Sequence, residues 1–343
     1  MTAVPDQPAV PDQPGTPGGP GARPVLVAGD ANVDLVLTGD VVPRFGQAEQ
    51  LLDRGDLVLG GSASIAACGL ARLGVPTALV ARVGADTFGR FTTDALAGAG
   101  VSVGHVAVDP AVPTGMSVIL STPGDRAILT VPGTIPTLDP AAVLAALTAT
   151  GAAHLHVASY FLQPALAAGL PGLLAAARAR GVTTSLDTNW DPAERWAGVA
   201  DALPLVDVLL PNAEELRALA AAAGVTGPDD LALGTGLARL GPRVVVKAGA
   251  EGGWSVDAAG TVTRAPGLRV DVVDTTGAGD SFDAGYLAAV AHGVADEHDR
   301  LRWAAAAGSL STLGAGGTGR QATLADLDAA AVPHVPTPVA LAT

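Results

Sequence analysis

From residue 274 to 285 the sequence reads Asp-Thr-Thr-Gly-Ala-Gly-Asp-Ser-Phe-Asp-Ala-Gly, after an apolar run and at the start of an apolar helical pattern. Gly277, Ala278 and Gly279 leave almost no side chain in the way. Successive backbone N–H groups at a helix start can therefore converge on an anion such as phosphate. Asp280 follows at once, where a carboxylate in the first turn could take the proton of a hydroxyl attacking a phosphoryl group. The same residues also allow a plain glycine-rich turn with Asp280 as a helix cap.

Other groups with chemical potential are spread along the chain. Asp34 sits in an apolar setting just after a strand pattern, and a buried carboxylate there needs a partner, either a substrate hydroxyl or the backbone. Gly60-Gly61 permits close backbone approach at the head of a helix. Asp187-Thr188-Asn189-Trp190 again places polar and aromatic groups after a strand. Asn212 and Glu215 have the spacing of a capping box, and they could equally face phosphate-bound Mg2+ through water. The turn from Lys247 to Gly252 could lie against a nucleotide's phosphates or ribose.

The elements that must hold these groups follow from hydrophobic period and breakers. A strand is expected at 24–29, a helix from 62 to 73 stopped by Gly74 and Pro76, a strand at 77–83 and a helix at 86–99. From Asp139 onward helices and strands alternate as parallel βαβ units, with strands at 154–158, 183–187, 206–210 and 244–247. A hairpin is expected at 254–266, an apolar run at 270–273, and helices at 281–291, 299–313 and 324–331. Two β-rich excursions, at about 38–58 and 105–131, interrupt this pattern and predict a small sheet covering a site on the main domain. The fold class is α/β, a three-layer Rossmann-like domain with a mostly parallel sheet and a β-lid. Residues 1–23 are too poor in apolar side chains to fold and read as a disordered leader; 24–332 form the domain, and the Pro-rich 333–343 a flexible tail.

With 343 residues and 49% hydrophobic content the chain can bury a large core. A net charge of −14 argues against binding nucleic acid through a basic surface, yet permits a nucleotide held by local N–H groups. A single cysteine, Cys68, excludes an intrachain disulfide framework. Without a signal-peptide pattern or a membrane-length apolar run, a soluble cytoplasmic protein is expected.

Taken in order, Asn32-Val-Asp34, Gly60-Gly61, Pro113-Thr-Gly-Met-Ser117, Asn212 with Glu215, Lys247-Ala-Gly249-Ala-Glu-Gly252 and Asp274 through Gly285 resemble the ribokinase-like (PfkB) carbohydrate kinases. The likeness covers about residues 24–330. It implies ATP-dependent, Mg2+-requiring phosphorylation of a hydroxyl on a small sugar, expected to be a primary one. Asp280 would then be the general base, and Gly277, Ala278 and Gly279 the anion hole. It implies substrate contacts from Asn32, Asp34, Gly60 and Gly61, and nucleotide contacts from Asn212, Lys247, Gly249, Gly252 and the helix carrying Ser311. By the same resemblance Glu215 faces Mg2+ through water and Asp274 is a ligand for a monovalent cation such as K+. Many sugar-binding relatives carry Asn where this chain has Ile65, so either Ser62, Ser64 or the loop with Asn189 replaces that contact, or the substrate is less hydroxylated on that side. A nucleoside substrate, with Ile65 and Trp190 receiving the base, is the first alternative, and a non-catalytic sugar- or nucleotide-binding protein the second. Apolar residues of the lid, Leu57, Val58 and Leu59, suit pairing of two lids in a homodimer.

Overall fold

A computed structural model describes residues 21–47, 49–122, 125–330 and 332. The expected tail and all of the expected leader except 21–23 lie outside the described residues. Arg23 already donates its N–H to the Ala291 carbonyl at 3.0 Å, so the fold is joined slightly before residue 24.

The chain begins with β1 (Val25–Ala28), whose four residues are all buried. It continues through β2 (Asn32–Thr38) and β3 (Arg54–Gly60) to α1 (Ser62–Arg72). Next come β4 (Thr77–Gly84), α2 (Thr87–Gly98), β5 (Ser102–Asp109), β6 (Gly115–Thr122) and β7 (Asp125–Val131). The regular alternation then runs α3 (Pro140–Thr150), β8 (His154–Val157), α4 (Pro164–Arg178), β9 (Thr183–Leu186), β10 (Val208–Leu209), α5 (Ala213–Ala222) and α6 (Asp230–Ala238). It closes with β11 (Arg243–Lys247), the hairpin β12 (Gly253–Val256) and β13 (Val262–Ala265), then α7 (Ala278–Ala291), α8 (Glu297–Ser311) and α9 (Leu324–Ala329).

Nine strands form one sheet in the order β13-β12-β11-β10-β9-β8-β1-β4-β5, parallel from β11 to β5 with the hairpin antiparallel at one edge. Alternate residues of β1 serve opposite faces, as a period of two requires. Val25 and Val27 join a core with Leu79, Leu96, Tyr286 and Trp303. Leu26 and Ala28 join the other, with Leu155, Leu170, Leu216 and Leu237. Burying such a Leu fully is worth about 1.5–3 kcal/mol, so the layers are held from both sides. From β1 the sheet grows to β4 and β5 on one side and to β8 and β9 on the other. This reversal leaves a crevice at the carboxyl ends of the strands, where ligands bind in open α/β sheets.

The smaller sheet runs β3-β2-β6-β7, with β2 and β6 parallel and the outer pairs antiparallel. Two expectations need correction. The strand expected in the lid at 105–108 belongs to β5 on the edge of the main sheet, paired in parallel with β4. Asp34 is inside lid strand β2 and not at the end of a main-sheet strand. Of the lid residues expected to be exposed, Leu57 is, Val58 is half-buried and Leu59 is buried. The apolar run at 270–273 is irregular, with Val272 and Val273 exposed, so α7 follows a loop and not a strand. Among the described residues, no helix is long and apolar enough to cross a membrane.

Candidate active site

α7 starts at Gly277, whose φ of 70° lies in the left-handed region and which has no side-chain cap. A Cβ here would sit 2.6 Å from the Gly317 Cα, so only glycine lets the loop after α8 close against this turn. Asp280 is in the first turn and buried. Burial, and next the negative charge of Asp187, push its pKa up to about 7, against the opposing charge of Lys247 and a hydrogen bond from Ser62. Asp280 is therefore no N-cap. It is a carboxylate held close to neutrality beside an uncapped helix start.

The lid supplies the second half of the site. Asn32 donates Nδ2 to Asp34 Oδ1 at 2.9 Å, and both side chains are buried. Across the β2–β3 pair Asn32 lies opposite Gly60, where any Cβ would overlap the Asp34 carboxylate. Burial, reinforced by the charge of Asp30, raises the Asp34 pKa to about 7. Gly61 is the N-cap position of α1, and Asp30 accepts the next two amides, Ser62 N–H at 3.2 Å and Ala63 N–H at 2.9 Å. The charge of Asp30 reaches Asp280 as well as Asp34, which ties the acceptor end to the phosphate end.

Beside α7 opens a cavity of about 480 Å³. Lys247, Arg269, Gly249, Gly252 and Gly279 form part of its polar wall, and Val270, Val272 and Ala305 part of its apolar wall. Such a volume, with few convergent polar groups on an apolar lining, suits a small ligand. The family model for pfkB family carbohydrate kinases matches residues 22–323. The chain belongs to the PfkB carbohydrate kinase family. A fructokinase of Klebsiella pneumoniae is 33% identical over 79% of this chain and 86% of its own length. An ATP-dependent ribose-1-phosphate kinase of Halopiger xanaduensis is 33% identical over 89% and 97%. Ribokinase of Arabidopsis thaliana, solved with ribose and ATP, superposes with a TM-score of 0.72 at 26% identity, over 88% of this chain and 96% of that one. A ribokinase II from E. coli, solved with ATP and Mg2+, shares the fold with a TM-score of 0.77 at 23% identity, over 90% and 98%. The protein is an ATP-dependent sugar kinase with a ribokinase-like fold.

In this kinase several expected contacts sit elsewhere. Ser311 is buried and donates to the Gly308 carbonyl at 2.9 Å, whereas Ser309 and Thr312 line the cavity. Ser64 is likewise buried, its hydroxyl bonded to the Asp30 carbonyl at 3.1 Å. Asn189, at a left-handed φ of 53°, accepts Ser159 N–H at 2.8 Å and donates to Ser62 Oγ at 2.9 Å, so it works through Ser62. Asn212 and Glu215 make the full capping box. Asn212 Oδ1 accepts the Glu214 and Glu215 N–H groups, and Glu215 Oε2 accepts the Asn212 N–H. Asn212 also bridges Lys247 through the backbone, which sets the pair behind the polar wall. Burial and the charge of Asp187 raise the Glu215 pKa to about 7. Ile65 is buried and packs under Gly277 and Gly317, where it supports the turn. Trp190 stays 47% exposed, edge-on to Trp196 at 5.2 Å.

Asp274 is a clasp. Its Oδ1 accepts the N–H and Oγ1 of Thr276, and Oδ2 accepts Gly316 N–H at 2.8 Å, which ties the α7 loop to the loop after α8. These bonds outweigh burial and hold its pKa low. Beyond the expected Ser62, three further groups emerge only with the fold. Asp30 and Asp283 are invisible without their neighbours, though Asp283 stands three residues after Asp280, on the same helix face. Ser62 gains meaning only through Asn189. Arg126 of the lid donates to Thr276 Oγ1 at 3.3 Å and bears electrostatically on Asp34 and Asp274.

Proposed function

We propose that this kinase transfers the γ-phosphoryl group of ATP to a primary hydroxyl of a small sugar, with Asp280 as general base and the N–H groups of Gly277, Ala278 and Gly279 as anion hole. The observation that carries the reading is a buried carboxylate poised near pH 7 at an uncapped helix start, beside a ligand-sized cavity. A base works best with a pKa near the working pH, and preorganised N–H donors stabilise charge that develops in transfer. Asp34, steadied by Asn32, would hold the sugar's other hydroxyls, with Ser62 and Asn189 on the opposite side. Lid strands β2, β3, β6 and β7 would exclude water, which otherwise competes as acceptor.

Among the described residues no cluster of three or more metal-ligating side chains exists. Mg2+ would be bound mainly by the ATP phosphates, with Glu215 facing it through water, since Mg2+ keeps several waters. When bound, it would neutralise charge on the phosphates. Both oxygens of Asp274 already accept hydrogen bonds, so in this reading it serves as the clasp of the anion-hole loop. Burial of Ile65 removes one support for a nucleoside substrate, and sugars remain the better reading. Exposed Leu57, Ile128, Leu129 and Val131 on the lid suit pairing with a second lid, which light scattering on the protein and its Ile128→Asp variant would test; an unchanged mass would sink the pairing.

The decisive experiment is Asp280→Asn. Turnover should fall about a hundred- to ten-thousandfold with nucleotide affinity by calorimetry nearly unchanged. In the native enzyme kcat/KM should rise with pH through about 7, because the base must lose its proton. Full turnover by the Asn variant would refute the assignment.

A further inference from the structure

We propose that Asp283 is a positioning residue of the phosphoryl-transfer site: with Asp187 it clamps the Lys247 ammonium against the first turn of α7, leaving one ammonium proton to face the phosphates in the cavity. This rests on reading that turn as the anion hole.

Lys247 is the only lysine in the sequence; every other Lys/Arg position is Arg. The exception falls where shape matters. Lys247 Nζ lies 2.7 Å from Asp187 Oδ2 and 3.2 Å from Asp283 Oδ2. A compact ammonium can donate to two carboxylates from one nitrogen and still keep a proton, whereas each terminal guanidinium nitrogen has only two to give. An ammonium has three protons, and these bonds use two. The third has no partner among the described residues. Lys247 lines the cavity beside Gly279, where an added Cβ would lie 3.4 Å from its Cδ and 3.8 Å from its Nζ.

Two carboxylates beside an ATP site would repel phosphate unless their charge were cancelled. Asp283 lies on α7, fully buried, and among the described residues its Oδ1 receives no hydrogen bond. Burial drives its pKa well up, toward the neutral acid, while the charge of Lys247 holds that of Asp187 down against burial. Asp187, Asp283 and Lys247 therefore form a neutral cluster with the cation on the cavity side. The pKa of Lys247 is raised because Asp187, Asp283 and Glu215 outweigh its burial, so the ammonium stays charged throughout the working range.

A single lysine also gives a single reporter. Full-length protein grown with 15Nζ-lysine should show one ζ resonance, which shifts when a non-hydrolysable ATP analogue and Mg2+ are added. Asp283→Asn, which preserves shape and hydrogen bonding, should keep that shift and hold kcat within about threefold. Asp283→Leu should weaken the shift and lower kcat at least tenfold, with the sugar KM within about twofold. A native resonance indifferent to the analogue, or native kcat in Asp283→Leu, would overturn the clamp. If Asp283→Leu does not fold, the native and Asn titrations decide alone. The shift is also measurable in Asp280→Asn, and its persistence there supports the clamp even if the base assignment fails.

Discussion

Two helices of this kinase start in the same way and end in different service. α1 and α7 both begin after a glycine in a positive-φ conformation, Gly61 at 91° and Gly277 at 70°, and neither has a side-chain cap of its own. By contrast α2, α3, α5, α6, α8 and α9 are each capped by an Asp, Asn or Thr side chain. At α1 the gap is filled from the turn between β1 and β2: Asp30 takes the Ser62 and Ala63 amides, and the helix start becomes rigid structure. At α7 no carboxylate among the described residues closes the gap; the Ala278 N–H meets only the Thr275 carbonyl, at 3.2 Å, and the first turn faces the cavity. An uncapped start leaves partial positive charge to be met by an anion, and the same geometry with an Asp inserted removes that capacity. Sequence alone shows glycine at both places; the difference is made by one residue about thirty positions before α1.

The sharpest way to break this contrast is to close the α7 turn. Gly277→Ala puts a Cβ into the Gly317 backbone and forces a side chain into left-handed φ. The N–H groups of the anion hole should lose register, lowering kcat about a hundredfold, the scale of losing one hole donor. Steady-state kinetics with a melting curve would check it, and a variant with native kcat would show that the turn's geometry is not what binds phosphate. Gly61→Ala would strain α1 similarly and should act chiefly on stability.

What could be read in the sequence was local. The buried run of β1, the glycine stop of α1, the capping box of α5 and the glycine turn before Asp280 are each set by neighbours a few residues away, and each appears where expected. What could not be read was pairing and phase. Ser102–Asp109 has no feature that assigns it to the main sheet rather than the lid; that depends on parallel register with β4, across an intervening helix. Ser311 was placed at the nucleotide because it lies on the correct helix. A turn of 3.6 residues, however, turns Ser309 and Thr312 to the cavity and Ser311 to the core. Asp283 was passed over because its partners, Asp187 and Lys247, are 96 and 36 residues away and meet only through the fold.

A milder intervention opens the α1 start. Asp30→Ala leaves the Ser62 and Ala63 amides without their acceptor, which should cost about 2 kcal/mol of stability. The charge of Asp30 also raises the pKa of Asp280, so its removal should move the acid limb of kcat/KM to lower pH. Denaturant melts and a pH–rate profile read the two effects separately. A limb that moves upward would mean that Asp30 influences Asp280 by structure rather than by charge.

Ser62→Ala should have the smallest effect and the opposite sign. Ser62 Oγ accepts from Asn189 Nδ2 at 2.9 Å and gives its own proton to Asp280, which favours the ionised base. Removing the hydroxyl takes away that stabilisation, so the pKa of Asp280 rises and the acid limb of kcat/KM moves to higher pH. Above the limb, where the base is fully ionised in both proteins, rates should agree within a few-fold; below it the variant should fall behind. Because Asn189 holds Ser62 in place, Asn189→Ala should displace the limb in the same direction by less. The pair of signs, downward for Asp30→Ala and upward for Ser62→Ala, belongs to one carboxylate between a repelling charge and a donated proton. If Ser62→Ala leaves the limb in place or moves it downward, a different group controls it and Asp280 is not the base that the profile reports.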